Sequence, residues 1–131
     1  MKYDYFEAVK TDVLDNLYET IEYIDMDKIS NLDDLKEALN DAMFIDDAVT
    51  GNASGSYFCN TWKAEECLCH NMDLIEEVAN AFGDEPTITA GWEHGAEWWD
   101  VSIRCYYLSQ AIDEVVNDLE DDLTEMINAR A

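Results

Sequence analysis

An all-α domain is the fold class this sequence predicts, and three observations predict it. Apolar residues recur at spacings of three and four along most of the chain, the period of one helical face. The 131 residues hold a single proline, and the five glycines are confined to residues 51–55 and 83–95. Hydrophobic residues make up 48% of the composition, enough to build a core despite a high charge. This length corresponds to one domain, residues 1–131, and the pattern resolves into a small, mainly α, four-helix arrangement.

The first helix is expected over residues 3–24, where Phe6, Val9, Val13, Leu17, Ile21 and Ile24 form one stripe. Ser30 or Asn31 can cap the second, with Asp33 or Asp34 in its first turn, where negative charge suits the helix dipole. Its buried face is Leu32, Leu35, Leu39, Ala42 and Met43, and it ends between Phe44 and Asp47. A loop follows from Ala48 to Cys59, with Gly51, Asn52, Ser54, Gly55 and Ser56 as turn residues. Tyr57-Phe58-Cys59 can run briefly extended. Asn60 or Thr61 then caps a third helix running from Trp62 to Phe82, with a candidate break at His70-Asn71 and Gly83 as its terminator. Residues 84–95 read as loop. The segment 97–104 is ambiguous. Trp99, Val101, Ile103 and Cys105 alternate like a short strand. Trp98, Val101, Cys105, Leu108, Ile112, Val115, Leu119, Leu123 and Met126 make one long helical stripe. The longer series favours a helix over about 98–128.

Charge is the outlying property. Asp and Glu total 31 against seven Lys and Arg, for a net −24 at pH 7. A folded chain of this size exposes roughly 7,000 Å², giving about one net negative charge per 290 Å². B-DNA, with a charge every ~1.7 Å of axis, carries about one per 110 Å². Nucleic acid and anionic membrane surfaces would both be repelled, so neither is an expected partner. A basic, nucleic-acid-binding protein is.

Two carboxylate rows express this charge at helical spacing. Asp12, Asp15, Glu19 and Glu22 lie along the first helix, and Glu114, Asp118, Asp121 and Glu125 along the last, with Asp113, Glu120 and Asp122 beside them. Neighbours three and four apart on a helix lie about 5–6 Å from each other, close to the spacing of backbone phosphates. Unneutralised rows repel themselves, a cost that hints at a use. The plainer reading is a solvated face kept for solubility.

Other chemistry is weaker. Cys67, Cys69 and His70, with Cys59, His94 and Cys105 elsewhere, could suggest zinc or a nucleophilic cysteine. However, Cys69 points off the face shared by Cys67 and His70, and no C-x-x-C pair exists. Packed thiols and a packed histidine are expected, with no metal or cofactor and no catalytic residue. Asp25-x-Asp27 fails as a calcium loop because Ser30 stands where glycine is needed and Lys36 where glutamate is needed. The Gly51–Gly55 loop lacks the G-K-[ST] ending of a phosphate loop. Trp98 and Trp99 cannot both face inward, which leaves one for an interface, a homodimer contact among the candidates. No hydrophobic leader opens the chain and no apolar run approaches the ~20 residues that span a bilayer. A cytoplasmic protein with reduced thiols is therefore expected, in which the sequon Asn52-Ala53-Ser54 carries no meaning.

The stretch TGNASGSYFCNTWKAEECLCHN (50–71), together with EWWDVSIRCY (97–106), resembles a group of small acidic proteins from gut Firmicutes and their phages. The similarity covers roughly residues 45–115, with Cys59 and Met72 as departures. No catalytic role comes with the group. What the resemblance implies is context: a phage or mobile-element gene. The expectation is a DNA-mimicking inhibitor of a host defence enzyme, of anti-CRISPR or anti-restriction type, with a CRISPR nuclease as one target. Its binding surface would be the two acidic rows, with Asn52, Ser54 and Tyr57 as loop candidates.

Overall fold

The computed structural model describes residues 4–53, 61–82 and 96–129, and every described element is helical. The elements are α1 (Tyr5–Tyr23), a 3₁₀ turn (Met26–Lys28), α2 (Leu32–Phe44), α3 (Thr61–Cys69), α4 (Met72–Phe82), α5 (Ala96–Asp118) and α6 (Glu120–Ala129). The all-α class holds. The helix count changes, because two of the four expected helices are each divided.

Both divisions have local causes. Asn71 ends α3 and starts α4: its backbone N–H donates to the Leu68 carbonyl at 2.9 Å, and its own carbonyl accepts from Leu74 and Ile75. Its side-chain Nδ2 donates to the Cys67 carbonyl at 2.7 Å, so one asparagine serves the ends of both helices. At Leu119 the amide is shared between the carbonyls of Val115 and Val116, 3.2 Å from each. Glu120, Asp121 and Asp122 then fill the first turn of α6, where the dipole favours negative charge. The strand reading of 97–104 is overturned: those residues belong to α5, whose apolar stripe runs on through Leu108, Ile112 and Val115.

The caps follow the sequence closely. Asp4 caps α1 by accepting from Glu7 N at 3.1 Å. Asn31, rather than Ser30, caps α2, accepting from Asp34 N at 2.9 Å, while the Asp34 carboxylate accepts in turn from Ser30 N at 3.0 Å. After α2 the chain turns through Asp46–Gly51. The Asp46 carbonyl accepts from Val49, Thr50 and Gly51, and Gly51 takes a φ of 76°, which a residue with a Cβ would resist.

The helix α5 packs against every other described helix, and two cores form along it. The larger joins Val9, Val13, Leu17 and Ile21 of α1, Leu35, Leu39 and Met43 of α2, Leu108 to Val116 of α5, and Leu123 and Ile127 of α6. The smaller joins Tyr5, Ala64 and Leu68 of α3, Leu74 to Ala79 of α4, and Trp99 and Ile103 of α5. Tyr107 packs against both. Of the Trp pair, Trp99 is buried. The side chains of Trp62 and Trp98, the segment holding Ser54, Tyr57 and Cys59, and the segment holding Gly83, Pro86 and His94 lie outside the described residues.

Candidate functional site

The predicted acidic residues separate into two groups once their neighbours are known. On α1, burial of Val9, Val13, Leu17 and Ile21 against α2 and α5 fixes the rotation of the helix and turns Asp15, Glu19 and Glu22 outward, all exposed. Asp12 is turned inward instead. Its carboxylate accepts from Arg104 Nη2, and Arg104 is fully buried in α5. The same guanidinium donates through Nε to the Val49 carbonyl at 2.7 Å. Asp12 is thus a structural anchor that joins α1, α5 and the turn after α2.

The α5 acids are also partly engaged. Lys10 of α1 reaches Glu114 at 3.4 Å and Asp118 at 3.5 Å. Lys36 of α2 reaches Asp113 at 3.6 Å and donates to Asn117 Oδ1 at 3.1 Å. Partial burial pulls the Lys10 ammonium down, but Asp118 and Glu114 outweigh it, so its pKa stands above the ordinary lysine value. These two lysines staple α1 and α2 to the far end of α5.

The remainder is unneutralised. Among the described residues, no lysine or arginine lies within ion-pair distance of Asp15, Glu19 or Glu22 on α1, or of Asp121, Asp122 or Glu125 on α6. All six are exposed. Leu14 and Tyr18, each 48% exposed, stand among the α1 acids and provide apolar surface that charge counting missed. Their signal was their absence from the buried 3-4 stripe. The helices α1 and α6 both pack on α2 and α5. The two outward rows are therefore held on one scaffold.

Comparison with protein-family models, curated proteins and solved structures finds no match. The site therefore rests on its own geometry.

The loop and thiol candidates are placed in part. Asn52 is half-buried, its amide donating to Thr50 Oγ1 at 3.2 Å, while Ser54 and Tyr57 lie outside the described residues. The buried Thr50 hydroxyl donates to the Phe44 carbonyl at 2.9 Å. Cys69 and His70 are exposed, and Cys67 packs at the edge of the smaller core. Burial pushes the Cys105 thiol up to about 11, against smaller pulls from the Thr50 hydroxyl and the Arg104 guanidinium. At neutral pH that sulfur is protonated and a poor nucleophile. Among the described residues no group of three or more His, Cys, Asp and Glu could hold a metal ion, and no helix is long and apolar enough to cross a membrane.

Arg104 and the equally buried Asp100 are the residues that periodicity missed. The available cue was a lone arginine inside Val101-Ser102-Ile103-Arg104-Cys105, in a chain with only seven Lys and Arg. An ionic side chain in that setting needs a partner, and the first acidic row supplied one.

Proposed function

We propose that the chain is a non-enzymatic acidic binding protein that occupies the basic nucleic-acid channel of a partner, with carboxylates in place of backbone phosphates. In the setting implied by its sequence resemblance, the partner is a host defence enzyme such as a CRISPR or restriction nuclease, and the chain is its phage- or mobile-element-encoded inhibitor. The supporting observation is selective neutralisation. Lys10 and Lys36 offset Asp113, Glu114 and Asp118, and Arg104 offsets Asp12, yet the rows Asp15-Glu19-Glu22 and Asp121-Asp122-Glu125 have no such cation among the described residues. Like charges at i,i+3 and i,i+4 spacing destabilise a helix by a few tenths of a kcal/mol per pair. A basic groove would turn that cost into attraction, with Leu14 and Tyr18 adding apolar contact.

The attraction is mainly electrostatic and falls with ionic strength. Tagged protein incubated with bacterial lysate at low and high salt is expected to capture a nuclease at low salt only, and DNA is expected to compete it off. The variant Asp121→Asn, Asp122→Asn, Glu125→Gln keeps the helical circular-dichroism signal and loses affinity for that nuclease by roughly ten-fold or more. Equal affinity of variant and parent, or no basic partner at low salt, would sink the reading.

A further inference from the structure

The outer face of α1 carries more than charge. Burial of Val9, Val13, Leu17 and Ile21 turns Glu7, Thr11, Leu14 and Tyr18 to the opposite side, where all four are exposed. Their spacing is four, three, four, the alternation along which two helices pair. We infer that this face docks a cationic amphipathic helix of a partner protein, with Leu14 and Tyr18 packing on its apolar stripe and Asp15 and Glu22 pairing with its lysines or arginines. The inference rests on the proposed reading of α1 as a partner-facing helix, and it names the element of the partner that α1 meets.

Three observations carry the inference. First, the apolar surface is paired. Leu14 and Tyr18 are each 48% exposed and stand one turn apart on the same face, which puts them about 5–6 Å from each other. A single exposed leucine would need no explanation, whereas two large side chains in successive turns form a contact stripe. Second, the acids stand in fixed register to that stripe. Asp15 follows Leu14 by one residue and Glu22 follows Tyr18 by four, so both fall on one edge of the stripe, a full heptad apart. Both are exposed, and no lysine or arginine among the described residues lies within ion-pair distance of either. In paired helices the residues at such edges choose the partner by charge. On the other edge, Lys10 is already held by Glu114 and Asp118.

Third, charge complementarity selects the occupant. A second copy of this chain would bring its own Asp15 and Glu22 to the contact, at a net charge of −24 on each side. Nucleic acid and anionic lipid are repelled for the same reason. A small molecule finds no enclosure on the convex face of a helix. A helix with lysine or arginine flanking an apolar stripe meets both halves of the pattern, and an arginine can also lie on the Tyr18 ring.

The test titrates the intact protein with a synthetic helix that holds leucine along its stripe and arginine at its flanks, read by amide chemical shifts. Two relatives serve beside it, one with serine along the stripe and one with glutamate at the flanks. The leucine–arginine helix is expected to give saturable shifts confined to residues 7–22, the serine–arginine helix weaker binding and the leucine–glutamate helix none. Leu14→Ser and Tyr18→Ser each weaken the leucine–arginine helix roughly five-fold, as loss of a half-buried apolar contact does, and leave the serine–arginine helix unaffected. Asp15→Asn with Glu22→Gln weakens both, an effect that disappears at high salt, while Asp41→Asn at an exposed position of α2 changes neither. Equal binding of the leucine and serine helices, or shifts spread over the whole acidic surface, would show a diffuse counterion atmosphere and overturn the inference. A parent protein that sediments as a dimer, and as a monomer once Leu14 and Tyr18 are serine, would assign the face to a second copy and overturn it as well. Helix binding without capture of a nuclease refutes the channel reading and leaves this docking face; capture without helix binding does the reverse.

Discussion

Around the larger core, built by α1, α2, α5 and α6, carboxylates stand outward in rows and are tied back only where Lys10 and Lys36 reach them. Around the smaller core, built by Tyr5, α3, α4 and α5, carboxylates meet tyrosine instead, as where Tyr106 donates to Glu77 at 3.3 Å. The same residue type thus does two jobs in one chain. The difference teaches that a net charge of −24 is not a uniform coat. Some of it is structural, some is outward and unneutralised, and some is gathered beside tyrosines.

The seam between the two regions is Arg104, and disturbing it gives the largest expected effect. It follows Ile103 of the smaller core in sequence and bonds to Val49 of the larger one. Removing one partner of a buried ion pair costs about 3–5 kcal/mol, a large part of the roughly 5–15 kcal/mol that stabilises a domain of this kind. Asp12→Ala is expected to lower the urea midpoint by that amount and to loosen both cores together. The double replacement Asp12→Leu, Arg104→Met is expected to recover part of the loss, because neither member of this pair is then left without the other. If Asp12→Ala disturbs only the amides of α1, the seam is not shared and the two-core picture needs revision.

Alkaline pH gives an intermediate effect. Burial raises the Cys105 thiol from 9.0 to about 11. Burial followed by Glu77 raises both Tyr106 and Tyr107, and Lys10 is raised by its acidic neighbours against the pull of burial. A group whose folded-state pKa lies above its unfolded value stabilises the fold fully below the unfolded value, and that contribution is lost as pH rises through the folded one. All four therefore act in the same direction, over a window that opens near the ordinary thiol value of 9.0 and extends to about 11 and beyond. Stability measured by urea melts is expected to fall across that window. Cys105→Ala flattens its lower part and Tyr106→Phe its upper part. A flat profile for the parent protein would show that these groups see the same surroundings folded and unfolded.

The smallest effect belongs to the outer staples. Lys36→Met removes the contact with Asp113, a partly exposed pair worth under about 1 kcal/mol. Its interest lies in salt dependence. The parent should lose this small contribution as ionic strength rises, while the variant should gain from screening of acids it no longer offsets. A double-mutant cycle with Asp113→Asn isolates the pair from the surrounding charge.

Much of this fold was legible in the sequence because helical period and capping act over a few residues. Val9, Val13, Leu17 and Ile21 were readable as buried without knowledge of what buries them, and Asn31 as one of two candidate caps. The division at Asn71 was readable as a candidate break, since an asparagine can serve a helix end with its side chain. The division at Leu119 was not, because Leu119 itself continues the apolar stripe and only the acids after it favour a new start. The outward rows were legible as a charge pattern, but the engagement of Asp12, Asp113, Glu114 and Asp118 was not. Each depends on a cation brought from a distant segment: Arg104 to Asp12, Lys36 to Asp113, and Lys10 to Glu114 and Asp118. The cavity that Asp4, Asn71 and Tyr107 line was invisible for the same reason, since these residues are neighbours only once α1, α4 and α5 have packed.

The position of α5 in the chain has a consequence for how the molecule comes into being. Both cores need this helix, yet it leaves the ribosome after α1, α2, α3 and α4. At ordinary synthesis rates the apolar stripes of α1 and α2 wait on the order of seconds for the helix that covers them. During that interval the nascent chain has little to keep its leucines and valines from other chains except mutual repulsion. Asp15, Glu19 and Glu22 sit on the same helix as Val13, Leu17 and Ile21 and emerge with them, so the apolar stripe that waits for cover carries its own like-charge repulsion against other copies.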